Sequence, residues 1–232
     1  MESKPSLPLG LTGNQLKLLA LVCMTADHVG LQLFPQAVFL RLVGRLAFPI
    51  YGWMIAEGCR YTHSRRQYFL RLAALAAVCQ VVYFFAMGSL YQCVLVSFSL
   101  SLVLIWGVDR VNRAPNAGNV LLLTLLVGAG WVLSVLVPRH TPTDFALDYG
   151  FWGLLLPVAV YLGRTKEEQL ALFAVDLVLL AQSYGGLQWY GLLALLPMAL
   201  YTGQRGKGKL DTLFYLYYPG HLLVIYGISL LL

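Results

Sequence analysis

Four ionisable side chains interrupt long apolar runs. They are Asp27 and His28 in Met24-Thr25-Ala26-Asp27-His28-Val29-Gly30, Asp176 in Leu172-Phe173-Ala174-Val175-Asp176-Leu177, and His221 after Phe214-Tyr215-Leu216-Tyr217-Tyr218-Pro219-Gly220. At a helical rise of about 1.5 Å per residue they lie roughly 17 Å (Asp27 and His28), 11 Å (Asp176) and 12 Å (His221) along their runs, near the middle of a bilayer. An ionised group there costs about 2.5–3.5 kcal/mol on insertion scales, so each needs a partner or a purpose. Histidine exchanges a proton near neutrality, which suits it to act as a general base on an amine or hydroxyl. The same Asp and His are what a proton relay in a transporter uses, and the bare charges do not separate the two chemistries.

Neighbours on a helix point about 100° apart, so Asp27 and His28 cannot stack on one another and each must find its partner on another helix. For Asp27 the candidates are Arg41 and Arg45, in an ion pair that is either structural or placed to offset charge on a reacting oxygen. Asp176 has no basic residue in its own run; it is protonated, hydrogen-bonded across helices or turned to a wet cavity. Before His221, Pro219 lacks an amide hydrogen and leaves the carbonyl four residues back without its helical partner, which predicts a kinked helix facing a cavity. Glu57 and Arg60 stand near the end of a run, where charged side chains reach water by snorkelling.

Such positions require a membrane-embedded scaffold. Of 232 residues, 59% are hydrophobic and 11% charged, against about 25% charged in typical soluble proteins, and the mean hydropathy is +0.72. These figures exclude a soluble globule and a disordered chain, and the scarcity of Lys and Arg argues against a nucleic-acid surface despite a pI of 9.2. At about 20 residues per crossing, nine spans are predicted. They run Leu16 to Pro35, Val38 to Gly58, Tyr68 to Met87, Gln92 to Val108, Gly118 to Val137, Tyr149 to Gly163, Gln169 to Ser183, Leu187 to Tyr201 and Leu213 to Leu231. The first reads as a retained helix rather than a signal peptide, having no small-residue cleavage site. The second, interrupted by Arg41, Arg45 and Pro49, should be a short tilted segment before a proper helix begins.

Placing the N-terminus inside collects Lys4, Lys17, Arg60, Arg65, Arg66, Arg71, Arg110, Arg113, Arg164, Lys166, Arg205, Lys207 and Lys209 on one side, with Arg139 the exception. That asymmetry puts the C-terminus outside. The expected class is an all-α polytopic transmembrane bundle in the cytoplasmic membrane, one domain over residues 1–232. Cys23, Cys59, Cys79 and Cys93 show no Cys-x-x-Cys spacing and read as buried small hydrophobes, with neither a disulfide framework nor a metal site indicated.

The loop Gly203-Gln204-Arg205-Gly206-Lys207-Gly208-Lys209 approaches the phosphate-cradling pattern of nucleotide hydrolases. Leu210, however, stands where a Ser or Thr would hold magnesium, and no strand precedes it. As a basic glycine loop it either holds the phosphates of a diffusible cofactor through backbone amides and basic side chains, or simply sets topology.

Together, Met24 to Gly30, Gly44-Arg45-Leu46-Ala47-Phe48-Pro49, Glu57-Gly58 followed by Thr62, Tyr68 with Arg71-Leu72, Asp148-Tyr149-Gly150 and Phe214 to Leu222 resemble the TraX family of membrane proteins, nearly end to end. That family is named for the enzyme that N-acetylates the pilin of conjugative plasmids, and it is similar to the broader membrane-embedded acyltransferases. The resemblance implies a transferase that takes acetyl-CoA from the cytoplasm and acetylates a peptide, glycan or lipid reached from the other face.

On that resemblance the expected catalytic residues are His28, His221 and Asp27, one histidine acting as base and Asp27 orienting an imidazole or stabilising its charged form. Arg45 would offset charge on the carbonyl oxygen, with Arg41, Asp176, Tyr218 and Glu57 as further positioning residues. Arg205, Lys207, Lys209, Arg65 and Arg66 are expected to bind CoA. Direct transfer and an acetyl-histidine intermediate both stay open; Cys23, a thiol in apolar surroundings, is not expected to act as nucleophile. The rival, a proton-coupled transporter, would more often show an inverted repeat, and none is evident.

Overall fold

The apolar runs fold into helices whose ends the sequence marks. The computed structural model describes residues 10–208 and 211–231; Lys4, Lys209 and Leu210 lie outside the described residues. Helix α1 (Gly13–Gln32) opens on a reciprocal capping box, the Gln15 amide donating to Thr12 Oγ1 at 3.4 Å and the Thr12 amide to Gln15 Oε1 at 2.8 Å. There follow α2 (Val38–Gly44), α3 (Ala47–Tyr61), α4 (Arg65–Met87), α5 (Val94–Arg113), α6 (Ala117–Trp131), α7 (Val137–His140), α8 (Gly150–Leu162), α9 (Lys166–Tyr184), α10 (Leu195–Ala199) and α11 (Asp211–Ser229). Side-chain oxygens of Ser64, Asn116 and Thr165 cap α4, α6 and α9. Among the described residues no strand forms, only two isolated bridges.

Four helical stretches, Val38–Tyr61, Arg65–Phe85, Val94–Arg113 and Ala117–His140, are long and apolar enough to cross a bilayer, and Gly150–Leu162 is apolar but shorter. The first of these is α2 and α3 together, broken at Arg45 and Leu46. The last carries a π-helical turn at Val132–Leu136 just ahead of Pro138, which has no amide to donate. This most apolar stretch is also the least buried of the four, with Val120, Leu121, Leu125 and Trp131 exposed. Bare apolar surface on that scale belongs against lipid, so the protein is a helical membrane protein.

One predicted span takes another form. Between Leu187 and Tyr201 the chain makes a 3-10 stretch, Gly186–Ala194, followed by α10. Gly185 and Gly186, at φ of 66° and 48°, set its start, and Gln188 is buried within it. A 3-10 stretch this long is uncommon, because its hydrogen bonds are poorer than those of an α-helix.

By packing, the chain divides inside α3 into Met1–Tyr51 with Gly186–Leu232, and Gly52–Gly185. In the first unit α1 lies along α2 and against α11. Cys23, Met24 and Ala47 form a core there, with Leu19, Leu46, Tyr51, Tyr217 and Tyr218 packed on it. In the second unit α5 packs on α4, α6 and α8, and α9 covers α8. Ser101 Oγ donates to the Leu154 carbonyl at 2.7 Å, a hydrogen bond that ties α5 to α8 where water is absent.

Asp148-Tyr149-Gly150 starts α8. Tyr149 and Gly150 have φ of 60° and 54°, and a Cβ on Gly150 would stand 3.0 Å from Tyr184 Oη, so the turn needs glycine. In the adjoining loop Tyr91 donates to Asp148 at 2.7 Å; burial and that carboxylate push the Tyr91 phenol well above its ordinary range. Asp144 accepts from the Leu90 amide at 2.9 Å, and Ser89 together with that amide holds its carboxyl below the usual carboxylate range.

Candidate functional site

Helices α1 and α11 bring His28 and His221 together. Nδ1 of His28 stands 2.9 Å from Nε2 of His221, with ring centroids 5.0 Å apart. His221 Nδ1 donates to the Tyr217 carbonyl, one turn earlier on the same helix, at 2.8 Å. The Tyr217 ring stacks on His221 at 5.2 Å with planes 10° apart, and Tyr218 meets it edge-on at 5.8 Å. Thr25 Oγ1 donates to the Leu21 carbonyl at 2.8 Å, so in its 2.7 Å hydrogen bond with Tyr217 Oη the phenol is the donor. His221 is buried and His28 is half-buried.

Asp27 turns away from its neighbour and towards α2. Arg41 Nη1 donates to Oδ2 at 2.8 Å, and Arg45 Nη2 to Oδ1 and Oδ2 at 2.5 and 2.6 Å. The side chains of Arg41, Arg45 and Asp27 are 23%, 14% and 13% exposed, so little water screens the cluster. Gly44 makes the approach possible, since a Cβ there would overlap the Asp27 carboxylate. Two guanidiniums on one carboxylate leave this group with a net charge of +1, one residue from His28. Arg45 Nη1 also reaches Gln188 Oε1 at 3.5 Å, while the buried Gln188 Nε2 has no hydrogen-bond partner among the described residues.

Of the residues singled out from sequence, His28, His221, Asp27, Arg41, Arg45 and Tyr218 thus gather in the first unit. Asp27 makes no hydrogen bond to either imidazole among the described residues; it holds the arginines, because adjacent helix positions diverge. Arg205 and Lys207 are exposed on the loop that caps α1. Carbonyls of that loop take the first free amides of the helix, Gly13 donating to Gln204 at 2.7 Å and Asn14 to Arg205 at 2.9 Å. Asn14 Nδ2 donates to the Lys207 carbonyl at 2.9 Å. Lys209 lies outside the described residues.

Asp176, Glu57, Arg65 and Arg66 belong to the second unit. Asp176 is buried on α9, and its Oδ2 has no hydrogen-bond partner among the described residues. Glu57 pairs with Arg60 at 3.5 Å. Arg60 Nη2 donates to the carbonyls of Val160, Tyr161 and Gly163 at 2.8, 2.8 and 2.6 Å, closing the C-terminal end of α8. Arg65 is ion-paired with Asp109 and donates to Tyr161 Oη at 2.9 Å; Arg66 is exposed. No group of three or more His, Cys, Asp or Glu side chains that could hold a metal occurs among the described residues.

Sequence reasoning missed Gln188, Thr25 and Tyr217 as members of the site. Gln188 had a signal, an amide inside an otherwise apolar run; Tyr217 had none, because its part is played by a backbone carbonyl and a ring face.

The sequence model of the TraX family, described as "TraX protein", matches residues 12–229. A protein of Dichelobacter nodosus described as "Probable fimbrial assembly protein FimC, serogroup H1" is 25% identical across 91% of this chain and 93% of its own length. An uncharacterized protein of Rickettsia prowazekii (strain Madrid E) is 47% identical over 36 residues, 16% of this chain and 14% of that protein. No solved structure matches.

Proposed function

This chain belongs to the TraX family, and on that premise we propose that it is an integral membrane acetyltransferase, taking the acetyl group of acetyl-CoA at the cytoplasmic face and passing it to an amine or hydroxyl. The observation that carries the reading is the 2.9 Å imidazole pair, one member of it half-buried, next to a cation-rich cluster. An imidazole removes the acceptor's proton as its nitrogen or oxygen bonds to the thioester carbonyl. The carbon–sulfur bond then breaks, and the CoA thiolate leaves and is protonated. The net positive charge of Asp27, Arg41 and Arg45 favours the negative oxygen formed on the way.

Arg205 and Lys207, exposed on the loop that caps α1, would meet the phosphates of CoA, with Lys209 next along the sequence. Asn14, which the loop grips, precedes His28 by fourteen positions on α1, about 21 Å at the helical rise, a separation suited to a long pantetheine arm. In the second unit Arg66 is exposed, whereas the guanidinium of Arg65 is already engaged by Asp109 and Tyr161. The Dichelobacter relative is named for fimbrial assembly, and with the pilin N-acetylation that the family resemblance implies, the amino terminus of a fimbrial subunit is the first acceptor to try. The enzyme would sit in the cytoplasmic membrane with nine spans, N-terminus inside and C-terminus outside.

The test is release of free thiol from acetyl-CoA by the purified protein in lipid nanodiscs, with and without an acceptor peptide. His28→Ala and His221→Ala should each abolish release while expression stays intact; normal turnover in both rejects the reading. Proton flux in vesicles without thiol release would assign these residues to a relay instead. A reporter fused after Leu232 should lie outside the cytoplasm.

A further inference from the structure

The hydrogen bonds around the two imidazoles have a direction, and it distinguishes their roles. A carbonyl oxygen only accepts, so the 2.8 Å contact with Tyr217 fixes the proton of His221 on Nδ1. In the neutral ring Nε2 is then bare and must accept. Its partner at 2.9 Å is Nδ1 of His28, which must therefore carry the proton of that ring. The one basic nitrogen left over is Nε2 of His28, which has no hydrogen bond to any described residue and belongs to the half-buried ring.

We infer that His28, through Nε2, is the group that takes the acceptor's proton, and that His221 is a positioning residue that sets the tautomer of His28. This rests on the acetyl-transfer reading above. When Nε2 of His28 gains a proton, the ring becomes the imidazolium and its Nδ1 proton stays in the 2.9 Å hydrogen bond to Nε2 of His221. The positive charge then rests on His28, while His221 stays neutral with its Nδ1 still donating to the Tyr217 carbonyl. The balance is one proton removed from the acceptor nitrogen or oxygen as it bonds to the acetyl carbon. The thiolate leaves with the electrons of the carbon–sulfur bond and takes that proton from Nε2 of His28. The stacked Tyr217 ring, anchored to Thr25, keeps His221 from turning over and reversing the sequence of donors.

The test uses the full chain labelled with ¹⁵N-histidine in nanodiscs, resonances being assigned by single substitution. Nitrogen shifts in the neutral state should show both rings protonated on Nδ1 and bare on Nε2; a His28 ring protonated on Nε2 overturns the inference. In the thiol-release assay His28→Gln should lower kcat by about 10²–10⁴, the usual worth of a positioned base. His221→Gln, whose amide has both a donor for Tyr217 and an acceptor for His28, should keep the His28 tautomer and far more of kcat, with KM unchanged. If His221→Gln is as inactive as His28→Gln while the His28 shifts stay those of the wild type, His221 is not merely positioning and the assignment fails. The shifts report the direction of the pair whether or not thiol is released, so failure of this inference and failure of the acetyl-transfer reading are separate results.

Discussion

Arg60 and Arg65 in the second unit, and Arg41 and Arg45 in the first, are both sets of guanidiniums held largely out of water. In the second unit each cation has its own carboxylate, Glu57 or Asp109, so the ion-paired groups sum to zero, and further donors go to three helix-end carbonyls and Tyr161. In the first, two cations share Asp27, an imidazole nitrogen is unengaged, and the amide nitrogen of Gln188 lacks a partner among the described residues. Both arrangements place charge where it is costly, but only in the second unit is each guanidinium matched by a carboxylate of its own. A network that closes rigidifies the fold; one that stops short keeps groups ready for something that binds.

The largest expected effect comes from removing the shared carboxylate. Asp27→Ala strands two guanidiniums with little water around them, and loss of one partner from a buried ion cluster costs about 3–5 kcal/mol. Thermal unfolding in detergent should show this, and substituting Leu for Arg45 in the same chain should recover part of it. An Asp27→Ala protein as stable as the wild type would mean that water already reaches the cluster, and the contrast between the two regions would disappear. Next in size is Gly44→Ala, whose Cβ would overlap Asp27. Forcing a carbon into a packed contact costs about 1–3 kcal/mol, and because it displaces the cluster it should lower thiol release as well.

How far the sequence reaches follows from the same residues. That Asp27 and His28 must find partners on other helices follows from helix geometry, and so does the break in the second apolar run, where Arg41 and Arg45 interrupt it. What periodicity could not supply was the pairing itself. His28 and His221 are 193 positions apart, and nothing in the periodicity of either run points to the other. The 3-10 form of Gly186–Ala194 was equally hidden, because its composition is that of an apolar helix and only the positive-φ glycines and the buried Gln188 distinguish it. Arg65 misleads in the opposite way. At a helix end it resembles a phosphate ligand, yet Asp109 and Tyr161, far along the chain, already hold it.

The smallest effects test the contrast most cleanly, because a single hydroxyl is removed from each region. Tyr161 Oη donates to Asp109 at 2.7 Å and accepts from Arg65 at 2.9 Å, so Tyr161→Phe breaks hydrogen bonds to charged groups and should cost about 1.5–3 kcal/mol. Tyr217→Phe loses only a neutral bond to Thr25, about 0.5–1.5 kcal/mol. Turnover should rank the other way. Tyr161→Phe weakens a scaffold that has no part in the proton path and should leave the rate of thiol release near wild type at temperatures where the protein stays folded. Tyr217→Phe keeps the ring and the carbonyl that His221 uses, but frees the ring from α1, so the imidazole pair is held less tightly and kcat should fall severalfold with KM unchanged. If stability and turnover instead decline in step in both variants, the closed network and the open one are a single structural system, and the functional distinction drawn between them is lost.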